Sequence, residues 1–248
     1  MRDDFQPVRL MRPEAVRPDG HQLQGRLAIH IETEQAVDLG VHEARQQARR
    51  QPQGTLTPLP PARAHAGRAL GDTIQHRGST RRFSHVPLQA IELATALAWA
   101  TGPIDADVPG GLVDPYLIVS AVDGVAPGAY RYWPASHGLE ELRRGELRRE
   151  AAFLCLEQAL GGDAAATIFF LAPLDALLAA FGNRGYRLAN LEAGLTGGRA
   201  YLAAYAQGFG ASGLTFYDDK VVEFFSPHAA GLDAIFVTAL GRAARPPW

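Results

Sequence analysis

Residues 186–214 read YRLANLEAGLTGGRAYLAAYAQGFGASGL. Through Gly208 the stretch is apolar or small around most of a helical circumference, with Gly194, Gly197, Gly198 and many alanines. Such a helix is expected to be buried, with other backbones close against it. It runs into Gly208-Phe209-Gly210-Ala211-Ser212-Gly213-Leu214, a connection with few side chains over its amides, and then into a strand that ends near Tyr217. Two readings of the connection stand side by side: a tight helix-to-strand turn with glycine at the C-cap, and a bed for a flat polar ring. It is not GxGxxG, which disfavours a Rossmann dinucleotide site.

Working outward, Asp218 or Asp219 is placed to cap a helix ending in Phe224-Phe225, and residues 233–240 form a nearly continuous apolar strand followed by Gly241-Arg242. Upstream, residues 165–172 read as a buried strand stopped by Pro173, and 175–181 as a short helix. Residues 116–122 form an apolar strand that Ala126-Pro127-Gly128 turns back into 129–132, a hairpin. Residues 139–160 read as mainly helical, with Arg143, Arg144, Arg148 and Arg149 set against Glu140, Glu141, Glu146 and Glu150 as a solvated charged face. Residues 87–100 follow as a helix with Leu88, Ile91, Ala94, Leu97 and Ala98 at helical spacing. Strands joined partly by hairpins and partly by helical crossovers predict an α+β fold, a central mixed β-sheet flanked by helices.

At 248 residues the chain is long enough to bury roughly 70–75% of its unfolded surface. Residues 1–70 differ in texture from the rest, rich in Arg, Gln, Pro and His. Residues 55–67 read as a proline-stiffened linker, residues 27–32 as a half-buried strand and 35–50 as a polar helix. A boundary near residue 60 divides an N-terminal extension of unknown role, 1–60, from the main domain, 61–248.

A formal net charge of −2 gives no cationic field for nucleic acid or an anionic membrane. No run is apolar and long enough to cross a membrane, and MRDDFQPVRL lacks the apolar core of a signal peptide. Cys155 is the only cysteine, so an intrachain disulfide is excluded, and the composition suits a reducing cytoplasm. No histidine pair has metal-ligand spacing within a helix, so no metal is expected.

Against this background Arg77-Gly78-Ser79-Thr80-Arg81-Arg82-Phe83 stands out. Guanidiniums match phosphate oxygens bidentately, and a hydroxyl beside loop amides completes an oxyanion's coordination. An arginine-rich loop taken alone is more often simply solvated, and Arg242, just past the last core strand, is either a second candidate for the same anion or a plain surface arginine. His76 and His85 flank the loop as ordinary surface histidines.

RGSTRRF, then GYRLANLEAG at residues 185–194, GFGASGLTFYDD at 208–219 and the closing Ala239-Leu240-Gly241-Arg242 resemble, in order and spacing, the nitroreductase superfamily. The similarity covers about residues 70–245 and is greatest to the SagB-type flavin-dependent dehydrogenases of thiazole- and oxazole-modified peptide biosynthesis. The resemblance implies an intertwined homodimer holding FMN at the subunit interface, with a peptide or small-molecule substrate and other subunits of a biosynthetic complex as partners. It assigns the FMN phosphate to Arg77, Ser79 and Arg81, with Arg242 closing on it. Ala211, Ser212, Gly213 and Leu214 would present backbone groups to the isoalloxazine ring, where amide donors stabilise the reduced, anionic form.

Two departures separate this chain from that branch. Its Pro-Ser-Ala-Gly-Gly-Leu-Tyr-Pro-like segment is DVPGGLVDP at residues 107–115 here, with Val108 at the serine position. The branch's Lys-Tyr pair corresponds to about Ala180-Phe181, neither of which moves a proton at neutral pH. Tyr186, Glu192 and Tyr217 lie near in sequence, and none is assigned as the base. The expected activity is oxidation of a peptide or peptide-like intermediate. An NAD(P)H-dependent nitro or quinone reductase and a non-catalytic peptide-binding scaffold are the alternatives.

Overall fold

The computed structural model describes residues 51–65, 67–104 and 110–244. In chain order the elements are β1 (Leu56–Pro58), α1 (Leu70–His76), β2 (Leu88–Gln89), α2 (Ala90–Ala100), β3 (Asp114–Val119), β4 (Val122–Asp123), β5 (Gly128–Trp133) and β6 (Gly138–Arg144). There follow α3 (Arg148–Leu154), α4 (Ala159–Asp163), β7 (Ala166–Ala172), α5 (Leu174–Phe181), α6 (Asn183–Ala206), β8 (Gly210–Gly213), α7 (Asp218–Phe225) and β9 (Asp233–Gly241). The α+β class is as expected.

Seven strands form one sheet in the order β1-β6-β5-β3-β7-β9-β8, every neighbouring pair antiparallel. A parallel pairing joins β2 to β4 in a small second sheet. The central strands β3 and β7 are apolar without interruption because both faces are covered. Leu117, Val119, Ile168 and Phe170 face one core with α2 and α6, while Tyr116, Ile118, Phe169 and Leu171 face a second core with α3 and α7. We refer to these as the front and back faces.

The hairpin joining β3 to β5 forms with Ile118 opposite Ala129. Residues 139–160, expected to be mainly helical, are not. Leu139–Arg144 belongs to β6, which pairs with β5 on one side and β1 on the other. Leu139 enters the front core and Glu140 is buried on the back, an alternation that i,i+4 charge counting conceals. Helix returns only at α3 and α4. The segment read as a linker also carries structure, since Leu56–Pro58 is the edge strand of the sheet. The readings at 27–32 and 35–50 lie outside the described residues. Neither aspartate caps α7 as expected. Its N-cap is Tyr217, and Asp218 Oδ1 accepts the Asp219 N–H at 3.0 Å from inside the first turn.

Helix α6 is not buried all round. Leu188, Ala189, Ala193, Ala200 and Ala204 are buried, whereas Tyr186, Leu191 and Leu195 are 55%, 56% and 41% exposed. A Cβ at Gly194 or Gly198 would meet nothing within 4 Å. The helix carries apolar residues on both sides, but the described residues cover only one of them.

Candidate functional site

Helix α6 ends in a Schellman motif: Gly208, at φ +85°, donates its N–H to Tyr205 O at 3.1 Å, and Phe209 donates to Ala204 O at 3.1 Å. The chain then enters β8, paired with β9 from Gly210↔Gly241 to Gly213↔Thr238. A Cβ at Gly210 would collide with Thr80. That close approach brings the arginine loop onto the glycine-rich turn, because the Thr80 N–H donates to Ala211 O at 2.9 Å.

Helix α1 delivers the loop, the Arg77 N–H capping Thr73 O at 2.8 Å. Beyond the loop, Phe83 bridges to Ala243 and its ring lies against Gly241. Ser84 donates its N–H to Arg242 O at 2.8 Å, and the Ala244 N–H donates to Arg82 O at 2.9 Å. Main-chain bonds thus join RGSTRRF both to the turn after α6 and to the segment after β9, segments more than a hundred residues away.

Two tyrosines unread in the sequence complete the junction. Tyr205 Oη lies 3.1 Å from Thr80 Oγ1, and Tyr201 Oη lies 3.3 Å from Ser79 Oγ. Tyr201 Oη also accepts the Gly213 N–H, and its ring carries the Arg77 guanidinium 5.8 Å from its centroid. Tyr201 therefore couples the loop to the glycine-rich turn. Their i,i+4 spacing on α6 was the available signal, masked because tyrosines in a buried helix read as core.

The loop borders a cleft of about 530 Å³ lined by Ser79, Thr80, Arg81, Arg82, Tyr205 and Ala243 among others. Among the described residues no carboxylate pairs with Arg77, Arg81 or Arg82. Arg242 is placed differently. Its Nη2 donates to Glu92 Oε1 at 2.8 Å and Oε2 at 2.6 Å, and, like Arg77 but unlike Arg81 and Arg82, Arg242 is not among the residues lining the cleft. Of the ring-bed residues, Ala211 and Ser212 are buried in β8, and the Leu214 N–H donates to Val237 O at 3.4 Å.

The other sequence candidates disperse. Glu192 Oε1 accepts the N–H groups of Gly111, Leu112 and Val113 at 2.9, 2.7 and 3.2 Å. It thereby fixes the glycine-containing segment beside a second cavity of about 380 Å³. Val108 lies outside the described residues. Tyr186 is exposed on α6, and the Tyr217 ring lies tilted against Phe153 at 5.5 Å between centroids. His76 Nδ1 meets Asp72 O at 2.7 Å, and His85 Nε2 meets Asp163 Oδ1 at 2.8 Å. Burial pushes the Cys155 thiol up to about 12, so it is no nucleophile at neutral pH. Among the described residues no group of His, Cys, Asp and Glu is arranged to hold a metal ion. No helix among them is long and apolar enough to cross a membrane.

The nitroreductase family model matches residues 74–236. A protein of Methanocaldococcus jannaschii that carries the nitroreductase name is 30% identical over 163 residues, 62% of this chain and 82% of its own. A solved structure from Anabaena variabilis, also named as a nitroreductase, is 34% identical with a TM-score of 0.64 over 70% of this chain. This chain spans only 38% of that longer one. The Escherichia coli microcin synthetase McbBCD complex, solved with truncated pro-MccB17 bound, has a chain 18% identical at a TM-score of 0.58, covering 68% of this chain and 70% of its own, a likeness of fold alone. The family match opens in the helix that delivers the arginine loop and closes inside the strand that leads to Arg242, and the chain belongs to the nitroreductase family.

Proposed function

We propose that this chain is an FMN-dependent oxidoreductase acting as a homodimer. The observation that carries the reading is a loop of three arginines without carboxylate partners among the described residues, held by main-chain bonds against a glycine-rich turn at the edge of a cleft. Guanidiniums beside a serine and a threonine hydroxyl fit a phosphate monoester, and the side-chain-poor turn fits a ring laid against backbone. Arg77, Ser79 and Arg81 would hold the phosphate with Arg242 as a further cation, and Ala211, Ser212, Gly213 and Leu214 would border the ring. Bound FMN supplies two-electron hydride transfer. The chain's own work is to position the cofactor, exclude water and orient substrate, with Glu192 keeping the segment at Gly111–Val113 in register.

The uncovered side of α6 supports the dimer. Tyr186, Leu191 and Leu195 make an apolar surface suited to a second copy. Residues 1–60 are proposed as an extension that recruits substrate or a partner subunit, tethered through the edge strand β1.

The substrate favoured is a peptide or peptide-like intermediate of natural-product biosynthesis. The four motifs of the SagB-type branch support this, as does a fold shared with a synthetase chain. A nitro or quinone reductase fed by NAD(P)H is the second reading, favoured by Ala180 and Phe181 at the end of α5, where no proton-transfer pair stands. The test is direct. Purified protein is expected to be yellow and to release FMN on denaturation, and Arg77→Ala with Arg81→Ala is expected to leave it colourless. A double variant that stays fully yellow rejects the clamp. Rapid reduction of the bound flavin by NADH or NADPH selects the second reading.

A further inference from the structure

Arg242 and Glu92 are joined across 150 positions of sequence. Glu92 is 5% exposed and spends both carboxylate oxygens on one guanidinium nitrogen, at 2.8 and 2.6 Å. The neighbours of Arg242 in the chain, Ala243 and Ala244, line the cleft together with Arg81 and Arg82, while Arg242 does not. To reach an anion in that cleft the guanidinium has to leave its carboxylate.

Stranding a buried carboxylate is ordinarily costly, but Glu92 has a second home. It is the N3 residue of α2, its Oε2 accepts the Gln89 N–H at 2.8 Å, and the reciprocal bond from its own N–H to the Gln89 side chain completes a capping box. The positive end of α2 stays beside the carboxylate whether or not Arg242 does. Arg242 is itself 28% exposed along its side chain and has the Phe209 ring 6.0 Å from its guanidinium carbon, so it is held but not entombed.

We infer that Glu92 is an internal stand-in for the cofactor's phosphate, occupying Arg242 outside the cleft and competing with the phosphate for it. Glu92 is thereby a residue that tempers FMN affinity, and it does so by acting on Arg242 alone. The inference rests on the FMN-phosphate reading given above. It separates Arg242, a cation exchanged between two anions, from Arg77 and Arg81, which have no carboxylate to give up among the described residues.

The experiment compares the dissociation constants of FMN and of riboflavin, which lacks the phosphate, for the full chain and for Glu92→Gln, by quenching of flavin fluorescence. Glu92→Gln is expected to bind FMN about tenfold more tightly, the scale of one charged hydrogen bond, with riboflavin unchanged. The gain is expected to vanish when Arg242→Ala is added. FMN affinity that is unchanged or weaker overturns the inference, and so does an equal shift for riboflavin, which would mark a role in the fold rather than at the phosphate. Equal affinity of the unaltered chain for FMN and riboflavin instead rejects the phosphate reading, and the inference with it. If Glu92→Gln does not fold, Glu92→Asp keeps the charge and the cap but shortens the reach to Arg242. A smaller gain for FMN alone is then expected, and no gain overturns the inference.

Discussion

Arginines on the two sides of this sheet are treated in opposite ways. On the back, Arg131 is 3% exposed, paired to Asp114 at 2.7 Å and stacked 3.8 Å from the Trp133 ring centroid. Beside it Glu140 accepts the N–H groups of Gln53 and Gly54, both at 2.7 Å, and the Trp133 indole at 2.8 Å. Tyr116 Oη and His228 Nδ1 lie 2.9 Å apart in the same layer. At the front, Arg77, Arg81 and Arg82 are exposed and lack carboxylate partners among the described residues. A charge neutralised internally holds a fold together, whereas one left open at a rigid edge is available to a ligand. The two regions should therefore fail in different assays.

The largest effect is expected on the back. Glu140→Ala leaves two main-chain donors and an indole N–H without an acceptor, and should cost about 3–5 kcal/mol of stability by denaturant unfolding. Arg81→Ala, by contrast, should move the unfolding midpoint little and lower flavin affinity by about 1.5–3 kcal/mol. A loss of stability there that matches Glu140→Ala would erase the distinction between the faces. At the seam, Gly210→Ala drives a methyl into Thr80 and should cost about 1–3 kcal/mol together with flavin, since it moves loop and turn apart.

Acid sharpens the same contrast. Burial alone would raise the Glu140 carboxyl, but the N–H donors of Gly54, Trp133 and Gln53, and the nearby His228, hold it below the usual glutamate range. A depressed carboxyl stabilises the fold fully above its unfolded pKa, and the contribution is lost as pH falls through the folded one. Unfolding followed below about pH 5 should show a limb that Glu140→Gln flattens. The smallest expected effect is at Asp233, whose carboxyl is raised by burial first and then by Asp175. Because the ionised form is the disfavoured one, Asp233→Asn should gain at most about 0.5 kcal/mol, read as a slight rise in Tm.

The alternation and length of apolar runs were enough to place β3, β5, β7, β9, α5 and α6, because a strand covered on both faces and a helix of small residues each have a distinctive composition. They misled at β6. The run GLEELRR carries helix-forming residues and opposite charges at helical spacing, and only its two neighbouring strands make it extended. They misled again on α6, whose outward apolar side in one chain looks the same in sequence as its inward one.

The loop RGSTRRF suggested an anion site only in company with the glycine-rich turn and the closing Arg242, since an arginine-rich loop taken alone is ordinarily solvated. What the sequence could not decide was the company those residues keep. That Tyr201 and Tyr205 reach the loop, that Glu92 takes Arg242 and that Glu192 gathers three amides are all contacts between segments 79 to 150 positions apart. Local composition encodes which groups are charged and which surfaces are apolar. Which charge meets which partner is settled only when the sheet brings distant ends of the chain to one edge.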